Sequence, residues 1–99
     1  MLFIIDHKHT AVTCPAGKIH HEDDFPQNMD AQAKKSGLKI VEGYLDGPGH
    51  QIYFIAEADN ASQIFEFATP LIRIGETKVT PVLKWSEAMA VSKKIGLLK

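Results

Sequence analysis

The chain has one cysteine and one tryptophan in 99 residues, and no run of lysine or arginine beyond adjacent pairs. A single thiol excludes an internal disulfide and agrees with a reducing compartment. Eleven basic residues stand against 12 acidic ones, for a formal net charge of −1. That balance offers no electrostatic footprint for nucleic acid or for an anionic membrane. Long hydrophobic runs are missing too. The opening MLFIIDHKH has no basic stretch before its apolar segment, which falls far short of the ~18 residues of a spanning helix. The expectation is a cytoplasmic chain that binds neither nucleic acid nor membrane. With no internal repeat, low-complexity tract or linker, residues 1–99 are expected to form a single domain. A core of that size is modest, and association between copies would help to bury more surface.

What is present is hydrophobic patterning of two periods. An apolar run, LFIIDHKH, opens as a strand over Leu2–His9, and a polar, loop-like stretch follows from Thr10 to Asp24. The first helix is expected in FPQNMDAQAKKSG, with Asp24 as cap, Pro26 in the first turn and Phe25, Met29 and Ala33 as its buried stripe. Lys34 and Lys35 suit the negative end of the helix dipole, and Gly37 supplies the stop. LKIVEGYLDG and QIYFIAEA are the next two strands, joined by GPGH, where Pro48 and Gly49 suit the central positions of a type II turn.

The second helix starts after Asp59 or Asn60, with Asn60 and Gln63 at capping-box spacing. Its apolar positions are Ala61, Ile64, Phe65, Ala68, Leu71 and Ile72, and Pro70 should end or kink it near Thr69. ETKVTPVLKW is the fourth strand. Ser86 is expected to cap a final helix, EAMAVSKKI, closed by Gly96.

Strand, helix, strand, strand, helix, strand is the split βαβ, or ferredoxin-like, order. Right-handed crossovers arrange the four-stranded antiparallel sheet as 4-1-3-2, with both helices on one face. Pro81 then falls on an edge strand, where a missing amide donor is tolerated. The first strand is apolar on both parities, Leu2 and Ile4 on one, Phe3 and Ile5 on the other, and so expects cover on both sides. A second copy is the simplest cover.

At this point the chain resembles the dimeric α/β-barrel superfamily, which includes muconolactone isomerases, small antibiotic-biosynthesis monooxygenases and haem-degrading monooxygenases. The similarity spans nearly the whole chain as element order, and YFIAEADNASQIFEFATPL carries it most closely. The HxHT…CPAG opening and the PGH turn also look like those of a set of short prokaryotic proteins. The resemblance implies a homodimer with a small-molecule site between helices and sheet or inside a barrel. It implies no single chemistry.

The chemistry-bearing residues gather at one end of the expected sheet. His7 and His9, at i and i+2 on a strand, share a face about 6.6 Å apart and can reach one metal ion. His50, immediately after the turn, opens the antiparallel neighbour strand and joins them. Glu76, Lys78 and Thr80 begin the fourth strand at the same end, and Cys14 and the HHEDD run (His20, His21, Glu22) leave from it. Neutral imidazoles with a thiolate or carboxylate form a ligand set for Zn, Fe, Ni or Cu. His7, His9 and His50 are therefore the candidate metal ligands, and His50 and Cys14 the candidate catalytic groups. Asp6 and Lys8 lie on the opposite parity and become the site groups if that face is the enclosed one; periodicity leaves this open. Tyr44, Tyr53 and Trp85 suit a pocket wall, a core or a dimer contact equally.

Three functions are compatible with this pattern. The first is a homodimeric small-molecule-handling protein with a histidine-rich, transition-metal site. The second is a cofactor-free isomerase or monooxygenase, haem-degrading types included, with histidine as acid and base. The third is a non-catalytic module that binds a ligand or partner.

Overall fold

Burial along the first strand, β1 (Leu2–His9), alternates strictly: Phe3, Ile5, His7 and His9 are buried and the residues between them are not. That alternation decides the parity left open above. The computed structural model of the chain describes residues 1–14 and 29–97. Within them follow α1 (Met29–Ser36), β2 (Lys39–Asp46), β3 (Gln51–Glu57), α2 (Ala61–Ile72), β4 (Gly75–Val82) and α3 (Trp85–Lys94). The sheet order is β2-β3-β1-β4, all neighbours antiparallel. This is the expected ferredoxin-like arrangement, with Pro81 on the edge strand. Among the described residues no helix is long and apolar enough to cross a membrane.

One side of the sheet carries the core. Phe3 and Ile5 meet Ile52 and Ala56 of β3, and α2 presses Ile64, Phe67, Ala68 and Leu71 onto them, with Met29 and Ala33 from α1. Phe67 is fully buried and meets Phe54 edge-on at a centroid distance of 5.5 Å, a geometry that the ring quadrupoles favour. Phe65 departs from the expected stripe. It lies one residue, about 100° of helix, round from Ile64 and is 68% exposed. Asp24, Phe25 and Pro26, expected to open the first helix, lie outside the described residues.

The helix ends follow local chemistry. Gly37 ends α1 at φ 80°, where its amide bonds the Lys34 carbonyl and the Leu38 amide reaches back to Ala33, a Schellman closure. Asn60 caps α2 by accepting from the Gln63 amide at 3.0 Å, while the Gln63 side chain accepts from the Asp59 amide at 2.7 Å. Pro70 does not end α2, which continues to Ile72. Its missing amide would have bonded the Glu66 carbonyl, and Gln32 of α1 donates to that carbonyl instead at 2.9 Å. The break is thus repaired from the neighbouring helix.

Two further expectations are corrected. The turn between β2 and β3 is closed by His50 N–H donating to the Gly47 carbonyl, and the left-handed residue is His50 at φ 53°, not Gly49. A type II turn requires positive φ at Gly49; here the Gly49 amide is held by the Asp46 carboxylate at 3.0 Å instead. Trp85 does not belong to β4. It begins α3 after the extended cap residue Lys84, so Ser86 is inside the helix rather than its cap.

Truncating the ring at the centre of the core should be costly. Phe67→Ala is expected to destabilise the chain by about 3–5 kcal/mol, read from urea midpoints at constant slope. A loss below about 1 kcal/mol would show that the Phe67 site collapses without a cavity and does not anchor α2.

Candidate metal centre

The same pleat that buries Phe3 and Ile5 carries His7 and His9 beneath the helix layer at the far end of β1. His7 is fully buried and pairs across the sheet with Ile52 of β3 and Thr77 of β4. Its Nδ1 lies 3.0 Å from Thr77 Oγ1 and its Nε2 3.1 Å from His9 Nδ1. A neutral imidazole has one donor and one acceptor nitrogen, so it can serve both contacts if Thr77 and His9 complement it. Burial, with repulsion from His9 second and opposed by Asp6, lowers the His7 pKa from 6.5 to about 4. At neutral pH His7 is uncharged.

Beyond His7 the strand ends at His9, whose amide donates to the His50 carbonyl at 3.0 Å. The two rings meet edge-on with centroids 5.3 Å apart. Cys14 comes back to them after a short turn in which Thr10 and Thr13 bond one another through backbone and side chains. His9, Cys14 and His50 each offer a ligating atom, and these atoms lie within 4.8 Å of one another. A tetrahedral ion with two nitrogens at ~2.0–2.1 Å and one sulfur at ~2.3 Å holds them roughly 3.3–3.6 Å apart. Modest side-chain rotation covers the difference.

Two features of His50 set it apart from an ordinary turn residue. Its φ of 53° is a left-handed conformation costing on the order of 1 kcal/mol in a residue with a Cβ. Its Nδ1 is buried without a hydrogen-bond partner among the described residues, and unpaired buried polar atoms are uncommon and ask for a ligand, ion or water.

The expected site is therefore partly rearranged. His9, His50 and Cys14 come together, whereas His7 sits behind His9 and outside the group that could hold an ion. Glu76, Lys78 and Thr80 begin β4 at this end as expected, but the register pairs them with Lys8, Asp6 and Ile4 on the other face of the sheet. Asp6 bonds Gln51 there at 2.9 Å. Tyr53 and Tyr44 lie on that same face, opposite Asp6 and in line across β3. His20, His21 and Glu22 lie outside the described residues.

Two contributors were not singled out from the sequence. Thr77 has the right parity, and only the register of β4 against β1 could have revealed it. Gly75 pairs with His9, and a Cβ there would fall 2.2 Å from the Lys8 carbonyl and 3.0 Å from the His7 ring. Glycine lets β4 approach the histidines this closely.

The His7 shift has a signed consequence. Between pH 6.5 and about 4 the unfolded chain binds a proton at His7 that the folded chain refuses, so stability must fall as the pH drops through this window. It is fully present above the ordinary histidine pKa. Urea midpoints of chelator-treated protein are expected to decline across this window more steeply than those of His7→Gln. Parallel declines in the two proteins would remove His7 as the cause.

No curated protein matches the chain. A family model described as "Domain of unknown function (DUF3303)" matches residues 1–96. That match covers every element from β1 through α3, together with His9, Cys14 and His50. The chain belongs to this family.

Proposed function

We propose that the protein holds a transition-metal ion on His9, Cys14 and His50 and uses an open coordination position to bind and transform a small molecule. The convergence of two imidazoles and a thiol within 4.8 Å carries this reading. Two nitrogens and one sulfur suit Zn²⁺ and copper better than Mg²⁺ or Ca²⁺, and three protein ligands are the number of catalytic zinc sites, which keep the fourth position open. An ion so held would act as a Lewis acid toward a carbonyl or a bound water.

The buried histidine supports the same reading. With Nδ1 of His9 turned toward His7, Nε2 is the atom presented to an ion. His9 then donates from Nδ1 to Nε2 of His7, and His7 donates from Nδ1 to Thr77. Every proton in this chain has one place, provided His7 is neutral. Such outer partners fix the tautomer and orientation of a ligand histidine.

Cobalt(II) added to chelator-stripped protein is expected to produce an intense thiolate-to-metal absorption that Cys14→Ser abolishes. His50→Ala should weaken binding at least tenfold. Thr77→Val, which keeps the shape and removes the hydroxyl, should weaken it by about tenfold, with Thr77→Ser restoring it. Absence of the cobalt band in the unaltered chain would overturn the metal reading. Equal affinity in the Val and Ser variants would overturn only the role of Thr77.

The relay also favours a second reading, proton transfer by histidine without a metal. Small-molecule binding or turnover that survives exhaustive chelation and is lost in His9→Gln would decide for it.

A further inference from the structure

Charge at the histidine end of the sheet is divided by face. Asp6, Asp46 and Glu76 are the described carboxylates of the strands there, and the register puts them in two cross-strand rows with Lys8 and Lys78, on the face away from the helices. His7 and His9 have the opposite parity and lie under the helix layer. In that layer Asp30 lines the groove between α1 and β2, at the sheet edge away from β4.

One cationic residue of this end belongs to the helix layer. Arg73, the only arginine in the sequence, is the C-cap of α2, and two residues later Gly75 pairs with His9. Two residues of chain span at most about 7 Å, so the Arg73 backbone stands within reach of a long side chain from the end of β1. That backbone is fixed, its amide donating to the Thr69 carbonyl and the Ile74 amide to that of Leu71. The guanidinium end is left over. Arg73 is exposed, and the ion pair among the described residues joins Met1 to Glu57 at the other end of β1. Glu66 lies about 10 Å back along α2. Exposed apolar side chains stand at the same end: Val12, 73% exposed, on the turn that returns Cys14 to the histidines, and Ile72, 47% exposed, the last residue of α2.

A divalent ion on two neutral imidazoles and one thiolate keeps a single positive charge. Arg73 adds a second, permanent one. A mouth with two cations draws anions. The ion takes an oxygen at its open position, and a guanidinium donates strong, directed hydrogen bonds to carboxylate oxygens. A carboxylate has two oxygens, one for each. A phosphate would bring further oxygens toward Val12 and Ile72, whose side chains offer them no hydrogen bond.

We propose that the substrate is a small carboxylic acid with an apolar body, its carboxylate bridging the ion and the Arg73 guanidinium and its body against Val12 and Ile72. This rests on the metal reading above. Arg73 supplies the selection for an acid that the ion alone lacks.

Butyrate added to the cobalt-loaded full chain is the probe. It is expected to shift the visible cobalt bands saturably, whereas butyramide, of the same shape without the charge, leaves them in place. Arg73→Gln should bind cobalt as the unaltered chain does and weaken butyrate at least tenfold. Arg73→Lys, which keeps the charge and loses the planar fork, should recover only part of that loss. An unaltered chain without a cobalt band overturns the metal reading, and this inference with it. A cobalt band that butyrate does not move, or moves with equal affinity in Arg73→Gln, overturns the carboxylate inference alone. Loss of cobalt binding in Arg73→Gln assigns the arginine to the scaffold and overturns it too. Inorganic phosphate bound more tightly than butyrate overturns the choice of carboxylate.

Discussion

The pleat of β1 is the constraint on which the rest of the structure depends. A strand sends alternate side chains to opposite faces, so Phe3, Ile5, His7 and His9 are bound to a common side. The first two are core and the last two are site. No boundary separates packing from chemistry: the packing that covers Ile5 also encloses His7, and Gly75 lets β4 come close enough for Thr77 to reach it. A one-residue slip in register would move both histidines to the uncovered face and replace them with Asp6 and Lys8.

Burying polar rings under a small core is tolerable only if their hydrogen bonds are satisfied. His7 meets this condition at both nitrogens and in its neutral form, which is the form burial favours. His50 does not meet it: its buried Nδ1 has no partner among the described residues, and its backbone is left-handed. A satisfied histidine beside an unsatisfied, strained one is a natural division between a group that positions and a group that binds. Strain kept where a glycine would be easier is the kind of local inconsistency that functional sites carry.

The element order, the sheet order and the gathering of His9, Cys14 and His50 were legible in the residues, because apolar period and right-handed crossover leave few alternatives. What was not legible is instructive. Parity was ambiguous since Leu2 and Ile4 are as apolar as Phe3 and Ile5; only the placement of α2 resolves which pair is core. Glu76, Lys78 and Thr80 were at the right end of the sheet but on the wrong face, and Thr77 emerged instead, because cross-strand register depends on packing that spans the chain. Pro70 misled for a similar reason. Propensity sees the lost amide, while the Gln32 side chain that satisfies the orphaned Glu66 carbonyl comes from another helix. His50 was found as a ring, but its left-handed backbone was hidden behind a better candidate, Gly49.

The trade between core and site can be given a size. An aliphatic or aromatic side chain at either inward histidine position would contribute about 1.5–3 kcal/mol by burial. Two such positions amount to roughly 3–6 kcal/mol, a large part of the ~5–15 kcal/mol that holds a domain of ordinary stability together. A chain of 99 residues has little surplus from which to give that up. On the proposed metal reading, an ion bound only by the folded chain would stabilise it by mass action at the histidine end and so offset part of that loss.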